Sequence, residues 1–247
     1  MFEIRRVAKN FDGYDTLTDF SLTVPTGSFT VLIGPSGCGK STLFRLLMGV
    51  LPRDGGSLVL DGIEVPDLRG RGAYMAQKDL LLPWRTLLEN ALLPVMVQRI
   101  PSEKDRQEAA ELFDFLGLSG FGNHYPRQVS GGMAQRCALA RTILFRAPLA
   151  LLDEPLSAVD AITRHSLRSL LLSLQSRFGK TILMVTHDVD DALLLADRIV
   201  LLSPAPMRVT EVIELPVGKP RDESLHDLRH VKGHILSVLE RGDGVPA

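Results

Sequence analysis

The chain has 247 residues, 45% of them hydrophobic, enough apolar material for one large α/β domain. A formal net charge of −1 gives no general attraction to nucleic acid or to an anionic membrane surface. Two cysteines, Cys38 and Cys137, are too few for a disulfide framework and fit a reducing compartment.

The opening residues Met1-Phe2-Glu3-Ile4-Arg5 contain no apolar run of signal-peptide length, and no stretch approaches the roughly 20 apolar residues that span a bilayer. A soluble protein is expected, with any membrane role delegated to a partner. Phe2-Glu3-Ile4 and residues 20–24 alternate apolar and polar, which predicts short, half-buried antiparallel strands, and Pro25-Thr26-Gly27 reads as a turn.

Residues 29–33 form an apolar run that reads as a buried strand. They lead into Gly34-Pro35-Ser36-Gly37-Cys38-Gly39-Lys40-Ser41-Thr42, and residues 43–48 read as a helix. Strand, glycine loop and helix are the context that the pattern G-x-x-x-x-G-K-[ST] requires. Glycines let backbone N–H groups turn inward without a Cβ in the way, and the helix N-terminus favours anions. Lys40 is placed to put its charge on the β- and γ-phosphates of a nucleoside triphosphate, and the Ser41 hydroxyl to bind Mg²⁺. Cys38 reads as a small residue filling a loop position, with a reactive thiol as the alternative.

Leu58-Val59-Leu60 reads as a strand closed by an Asp61-Gly62 turn, and Ala73-Tyr74-Met75-Ala76 as another ending at Gln77. From about residue 86 to 145 the pattern is helical, which predicts an inserted helical subdomain. Ser102 and Asp105 form a capping box before a helix with Ala109, Leu112, Phe113 and Leu116 on one face, and Gly117 is placed to end it. A polar loop with Pro126 follows, then a helix from about 132 to 145.

Leu149-Ala150-Leu151-Leu152 reads as a buried parallel strand, followed by a helix from about 160 to 178 with Leu167, Leu170, Leu171, Leu174 and Phe178 at helical spacing. Residues 181–185 and 198–202 read as further strands flanking a short helix at 190–196. Alternating strands and helices predict a parallel sheet flanked by helices, preceded by an antiparallel β subdomain. Residues 222–241 read as an amphipathic helix with Leu225, Leu228, Val231, Ile235 and Leu239 on one side. His226, His230 and His234 recur every fourth residue and read as a solvated face rather than a metal site.

Asp153 and Glu154 end the strand at 149–152. At the C-terminal edge of a parallel sheet they would lie beside the phosphate loop, Asp153 as a Mg²⁺ ligand and Glu154 as the general base that polarises the attacking water. Upstream stands Val129-Ser130-Gly131-Gly132-Met133-Ala134-Gln135-Arg136, in which a serine hydroxyl and glycine N–H groups open a helix as a second anion site.

This order of motifs strongly resembles the ATP-binding cassette family, with Ser130-Gly131-Gly132 matching the family's signature sequence. Val129 stands where leucine is usual and Met133 where glutamine is often found. The resemblance covers roughly residues 1–215 and leaves 216–247 as a short helical extension. It implies a P-loop NTPase core that hydrolyses ATP with Mg²⁺. It implies that Gln77 is the Q-loop glutamine, reaching Mg²⁺ or water, and that Ser157-Ala158-Val159-Asp160 is the D-loop. Asp160 is also a plausible N-cap of the following helix. His187 matches the switch histidine that bonds the γ-phosphate. Phe11 aligns with the aromatic that stacks on adenine, with Tyr14 as second choice. The resemblance further implies a head-to-tail dimer, in which Ser130 and Gly132 act on the partner's ATP.

Residues 80–90, Leu-Leu-Leu-Pro-Trp-Arg-Thr-Leu-Leu-Glu-Asn, resemble the nitrate/sulfonate/taurine group of importers, which includes pyrimidine-precursor systems. That implies contact with a membrane permease around Leu82, Pro83, Trp84 and Arg85, at the cytoplasmic face of the membrane, with a solute-binding protein as an indirect partner. Two other readings stand beside it. One is an ATPase driving lipoprotein extraction or cell-wall machinery, the other a soluble regulatory ATPase with no permease.

Overall fold

A long hairpin opens the chain: β1 (Phe2–Phe11) and β2 (Tyr14–Val24), joined at Asp12 and Gly13 with φ of 49° and 91°. Two successive positive φ values are what a tight hairpin turn demands. Sequence alternation exposes only fragments of these strands because their register slips three times between Ile4 and Asn10, and Arg6 sits at φ 50°. Each slip shifts which residues face the core, so the period-two signal breaks. The other edge of β1 pairs with β4 (Gly55–Leu60), which turns through Asp61-Gly62 into β5 (Ile63–Val65), giving an antiparallel sheet ordered β2-β1-β4-β5. In a computed structural model the chain is described over residues 1–157, 159–221 and 226–242, excepting the side chains of residues 161, 162, 177, 178, 226, 227, 241 and 242. Ala158 of the D-loop-like stretch, Leu225 of the apolar stripe and the Phe178 and His226 side chains therefore lie outside the described residues.

The second sheet contains β3 (Phe29–Ile33), β6 (Gly72–Met75), β7 (Leu149–Asp153), β8 (Thr181–Val185), β9 (Arg198–Leu202) and β10 (Val209–Glu214). Its order is β10-β9-β3-β8-β7-β6, parallel throughout except where β10 runs antiparallel to β9. The sequence pattern did not predict β5 or β10. β5 has three residues, and β10 is a half-exposed edge strand whose two glutamates dilute its apolar signal.

The two faces of this sheet bury different partners. Leu32, Leu151, Leu183 and Val200 face the antiparallel sheet, with α1 (Lys40–Leu47) sandwiched between the sheets through Leu43, Phe44, Leu46 and Leu47. Each of those four side chains is fully buried, worth about 1.5–3 kcal/mol apiece. Val31, Leu152, Met184 and Ile199 face the other way, toward α2 (Leu87–Met96), α3 (Glu103–Phe115), α4 (Gly131–Leu144), α5 (Ala161–Phe178) and α6 (Val189–Leu195). The helical block expected at 86–145 thus has no separate core. Its Leu87, Phe113 and Ala138 belong to the same apolar cluster as the strands.

Local signals set the helix ends. The Ser102–Asp105 capping box forms, and Gly117 follows α3 at φ 63°. Asp160 accepts from the Thr163 N–H at 3.0 Å and caps α5. The described part of the C-terminal helix, α7 (His226–Gly242), buries Leu228 and Ile235 in the common core. Its histidine face is not wholly solvated: His234 Nε2 lies 3.0 Å from Glu211 of β10. Among the described residues no group of three or more His, Cys, Asp or Glu side chains is placed to hold a metal ion.

Candidate nucleotide site

β3, β8 and β7 are neighbours, and each is buried along its whole length. Their C-terminal ends carry the phosphate loop, the Thr186-His187 turn and the Asp153-Glu154 pair, so strand order alone gathers these groups at one sheet edge. The loop is held close to its surroundings. A Cβ at Gly34 would come within 2.8 Å of Leu202 Cβ, and Gly39, at φ 115°, caps α1 in a conformation other residues resist. The helix begins at Lys40 rather than near residue 43, so the free N–H groups of its first turn belong to the loop itself.

Lys40 lies along this loop, and its Nζ donates to the carbonyls of Gly34 at 2.7 Å and Pro35 at 2.6 Å. Cys38 is buried, and burial lifts its thiol above the ordinary 9.0 despite the opposing pull of the nearby Lys40 charge. A thiol held protonated is a poor nucleophile, which favours the space-filling reading over the reactive one.

Asp153 is 2% exposed. Burial raises its carboxyl above the ordinary 3.8, against the hydrogen bond from Ser41 and the charges of Arg45 and Lys40. Its Oδ1 is buried with no hydrogen-bond partner. A buried, unpaired carboxylate oxygen beside a serine hydroxyl is a donor set suited to a hard, oxygen-seeking cation, so Ser41 and Asp153 fit Mg²⁺.

Glu154 adopts φ 51°, a strained value for a residue with a side chain. Its N–H donates to Val185 O of β8 at 2.9 Å, which locks the turn to the neighbouring strand. Its carboxylate joins two other predicted residues: Oε2 accepts from Gln77 Nε2 at 3.1 Å, and Oε1 lies 3.3 Å from His187 Nδ1. Gln77, expected at the metal or at water, is here bonded to Glu154.

Other predicted residues lie apart. Ser130 caps α4 by accepting from the Met133 N–H at 3.3 Å, and both Ser130 and Gly131 are exposed. Among the described residues no hydrogen bond joins Ser130, Gly131 or Gly132 to the phosphate loop. Phe11 and Tyr14 are cross-strand partners at the end of the first hairpin, both exposed, with Lys9 Nζ 5.2 Å from the Phe11 ring centroid. Neither aromatic is a core packing residue.

The stretch after Gln77 is pinned by side chains that the sequence reading missed. Arg141 of α4 donates to the carbonyls of Asp79 at 2.6 Å and Leu80 at 2.9 Å. Asn90, fully buried, accepts from Leu82 N–H at 2.7 Å and donates to the carbonyls of Leu82, Arg85 and Thr86. This holds Leu82-Pro83-Trp84-Arg85 as a projecting turn, with Trp84 71% exposed rather than packed under its own helices. The signal for Asn90 was present, since a polar residue on the buried face of an apolar helix needs partners.

A family profile described as "ABC transporter" matches residues 17–157. The chain belongs to the ABC transporter family. It is similar to an aliphatic sulfonates import ATP-binding protein of Pseudomonas syringae pv. tomato, 41% identical over 97% of this chain and 98% of that protein. It is also similar to a taurine import ATP-binding protein of Yersinia pestis bv. Antiqua, 37% identical over 98% of this chain and 95% of the relative. Among solved structures, the dimeric ATP-binding cassette MJ0796 in a post-hydrolysis state bound to ADP and Pi matches with a TM-score of 0.81. It is 30% identical, covering 88% of this chain and 100% of that one. The expected α/β cassette fold and ATPase chemistry are both met. Among the described residues no helix is long and apolar enough to cross a membrane.

Proposed function

We propose that this cassette is the ATP-hydrolysing subunit of an importer, driving uptake of a sulfonate- or taurine-like solute through a separate permease. The observation that carries the chemistry is Glu154, locked to β8 by its N–H and joined to Gln77 and His187 at the sheet edge that bears the phosphate loop. The solute class follows the relatives named for sulfonate and taurine import.

In this reading Lys40 leaves the Gly34 and Pro35 carbonyls for the β- and γ-phosphates, joined by loop and α1 N–H groups. Glu154 accepts the proton of the attacking water as its oxygen bonds to the γ-phosphorus and the bridging bond breaks, yielding ADP and phosphate. His187 and Gln77 hold the Glu154 carboxylate and the water in register. Ser41 and Asp153, with Gln77 within reach, would hold Mg²⁺, which would supply neutralisation of the phosphate charge. Phe11, with Tyr14 as the alternative, offers a face for adenine.

The signature lies apart from the phosphate loop, and a Cβ at Gly131 would meet nothing within 4 Å. No group among the described residues requires glycine there, which supports a requirement set by a second copy. A two-fold, head-to-tail dimer gives two composite sites, with Ser130, Gly131 and Gly132 serving the partner's ATP and Asp160 at the seam. The exposed Leu80 and Trp84, with Leu82, Pro83 and Arg85, suit contact with the permease at the cytoplasmic face, since Trp and Arg are frequent interface anchors.

Affinity purification of the tagged chain from detergent-solubilised membranes of its own cell tests this. Recovery with a multi-span permease, and uptake dependent on a solute-binding protein, is expected. Recovery with a membrane partner that needs no solute-binding protein points instead to lipoprotein or cell-wall work, and recovery from the soluble fraction alone removes transport.

A further inference from the structure

We propose that Gln135 is a positioning residue for ATP hydrolysis, holding the main chain of Glu154 so that the base's carboxylate is aimed at the nucleotide. The inference rests on Glu154 being the base.

Gln135 lies early in α4, five residues past Ser130, and is 4% exposed among Ala134, Ala138 and Leu139. Its Nε2 donates to the Glu154 carbonyl at 3.3 Å. The same oxygen accepts from Ser157, through its N–H at 3.3 Å and its Oγ at 3.0 Å. Glu154 is thus clamped at both main-chain polar groups, its N–H by β8 and its carbonyl by α4 and the following turn. That matters because Glu154 sits at φ 51°, and a strained residue persists only where its surroundings over-determine it. Without Gln135 the carbonyl keeps only the local turn to Ser157 and loses its tie to α4, so the peptide can relax together with that turn toward ordinary φ values, shifting the carboxylate relative to Gln77 and His187.

Packing alone gives no reason for an amide at this position. Gln135 Oε1 is buried with no partner, so the side chain leaves half of its hydrogen-bonding capacity unmet. An apolar side chain of the same length would fill the volume without that loss. The amide orientation is fixed, because turning it over would set oxygen against the Glu154 carbonyl oxygen. What the glutamine supplies that methionine or leucine cannot is the donor to the base's own peptide.

The test compares steady-state ATP turnover of the full chain with Gln135→Met, Gln135→Leu, Glu154→Gln and the double variant Gln135→Met/Glu154→Gln. Gln135→Met is expected to lower kcat ten-fold or more, with KM for ATP within two-fold and thermal midpoint equal to or above that of the unsubstituted chain. In the Glu154→Gln background it is expected to lower turnover no further, because a residue that acts through the base has nothing left to act on. Gln135→Leu repeats the measurement should the methionine chain fold poorly. A kcat within two-fold of the unsubstituted chain, a matching rise in KM, or a full ten-fold loss in the double variant would overturn the proposal while leaving Glu154 as base. If Glu154→Gln itself turns over normally, the base assignment falls and this inference with it.

Discussion

The candidate nucleotide site is held in two different ways. The phosphate loop, Asp153 and His187 sit at the ends of β3, β7 and β8, whose residues are all buried in a parallel sheet. The segment from Gln77 to Arg85 is held instead by individual polar side chains, chiefly Arg141 and Asn90, donating to its carbonyls. Moving the first set means opening a sheet core. Moving the second means exchanging a few hydrogen bonds, each worth about 0.5–1.5 kcal/mol net. The proposed chemistry is thus built on the stiff region, and the proposed permease contact on the releasable one. Glu154 joins the two, being anchored on β8 yet bonded to Gln77.

The sharpest break falls on the stiff side. Glu154→Gln should lower ATP turnover by about 10²–10⁴-fold while nucleotide binding survives, because the amide keeps the shape and loses the base. Gel filtration with ATP should then show a persistent dimer. On the releasable side, Asn90→Ala should destabilise the fold by about 2 kcal/mol, since it strands buried main-chain groups around Leu82 and Arg85. Denaturant melts read this loss directly.

Arg141→Met keeps the apolar stem and removes both donors to the segment that follows Gln77. Turnover of the isolated cassette should stay within about three-fold, because nothing on the strands is touched, while solute uptake falls about ten-fold or more. Parallel loss of both activities would show that the segment serves chemistry rather than coupling.

A smaller effect is expected from pH. Asp105, at the start of α3, is held below its ordinary 3.8 by Arg99 first, then Ser102 and Arg146. Its contribution to stability is therefore complete above pH 3.8 and is lost as pH falls through that value toward the lower folded one. Between pH 5 and pH 3 the unsubstituted chain should lose more stability than Asp105→Asn. Asp153 works in the opposite sense. Burial raises its carboxyl, so its ionisation weakens the fold as pH rises above 3.8.

The stiff region was legible in the sequence. Unbroken apolar runs gave β3, β7 and β8, and the glycine loop and paired carboxylates named what stands at their ends. The releasable region was legible only as composition. Trp84 and Pro83 marked a contact, but Asn90 and Arg141 act through carbonyls, and any residue offers a carbonyl, so no pairing pattern appears in the sequence. Gln135 was hidden for the same reason. The first hairpin was half legible because its bulges break the alternation, and the common core of the helical block was not, since helical periodicity tells which face is buried but not against what.

Trp84→Ala most directly tests whether the exposed turn transmits ATP hydrolysis to transport. Trp84 is 71% exposed, so its loss should change stability by less than about 0.5 kcal/mol. Uptake of labelled taurine or an aliphatic sulfonate, measured with ATP turnover in vesicles holding the variant with its permease, should show turnover retained and uptake lost. Uptake at the unsubstituted level would contradict the proposed role of this turn as the permease contact.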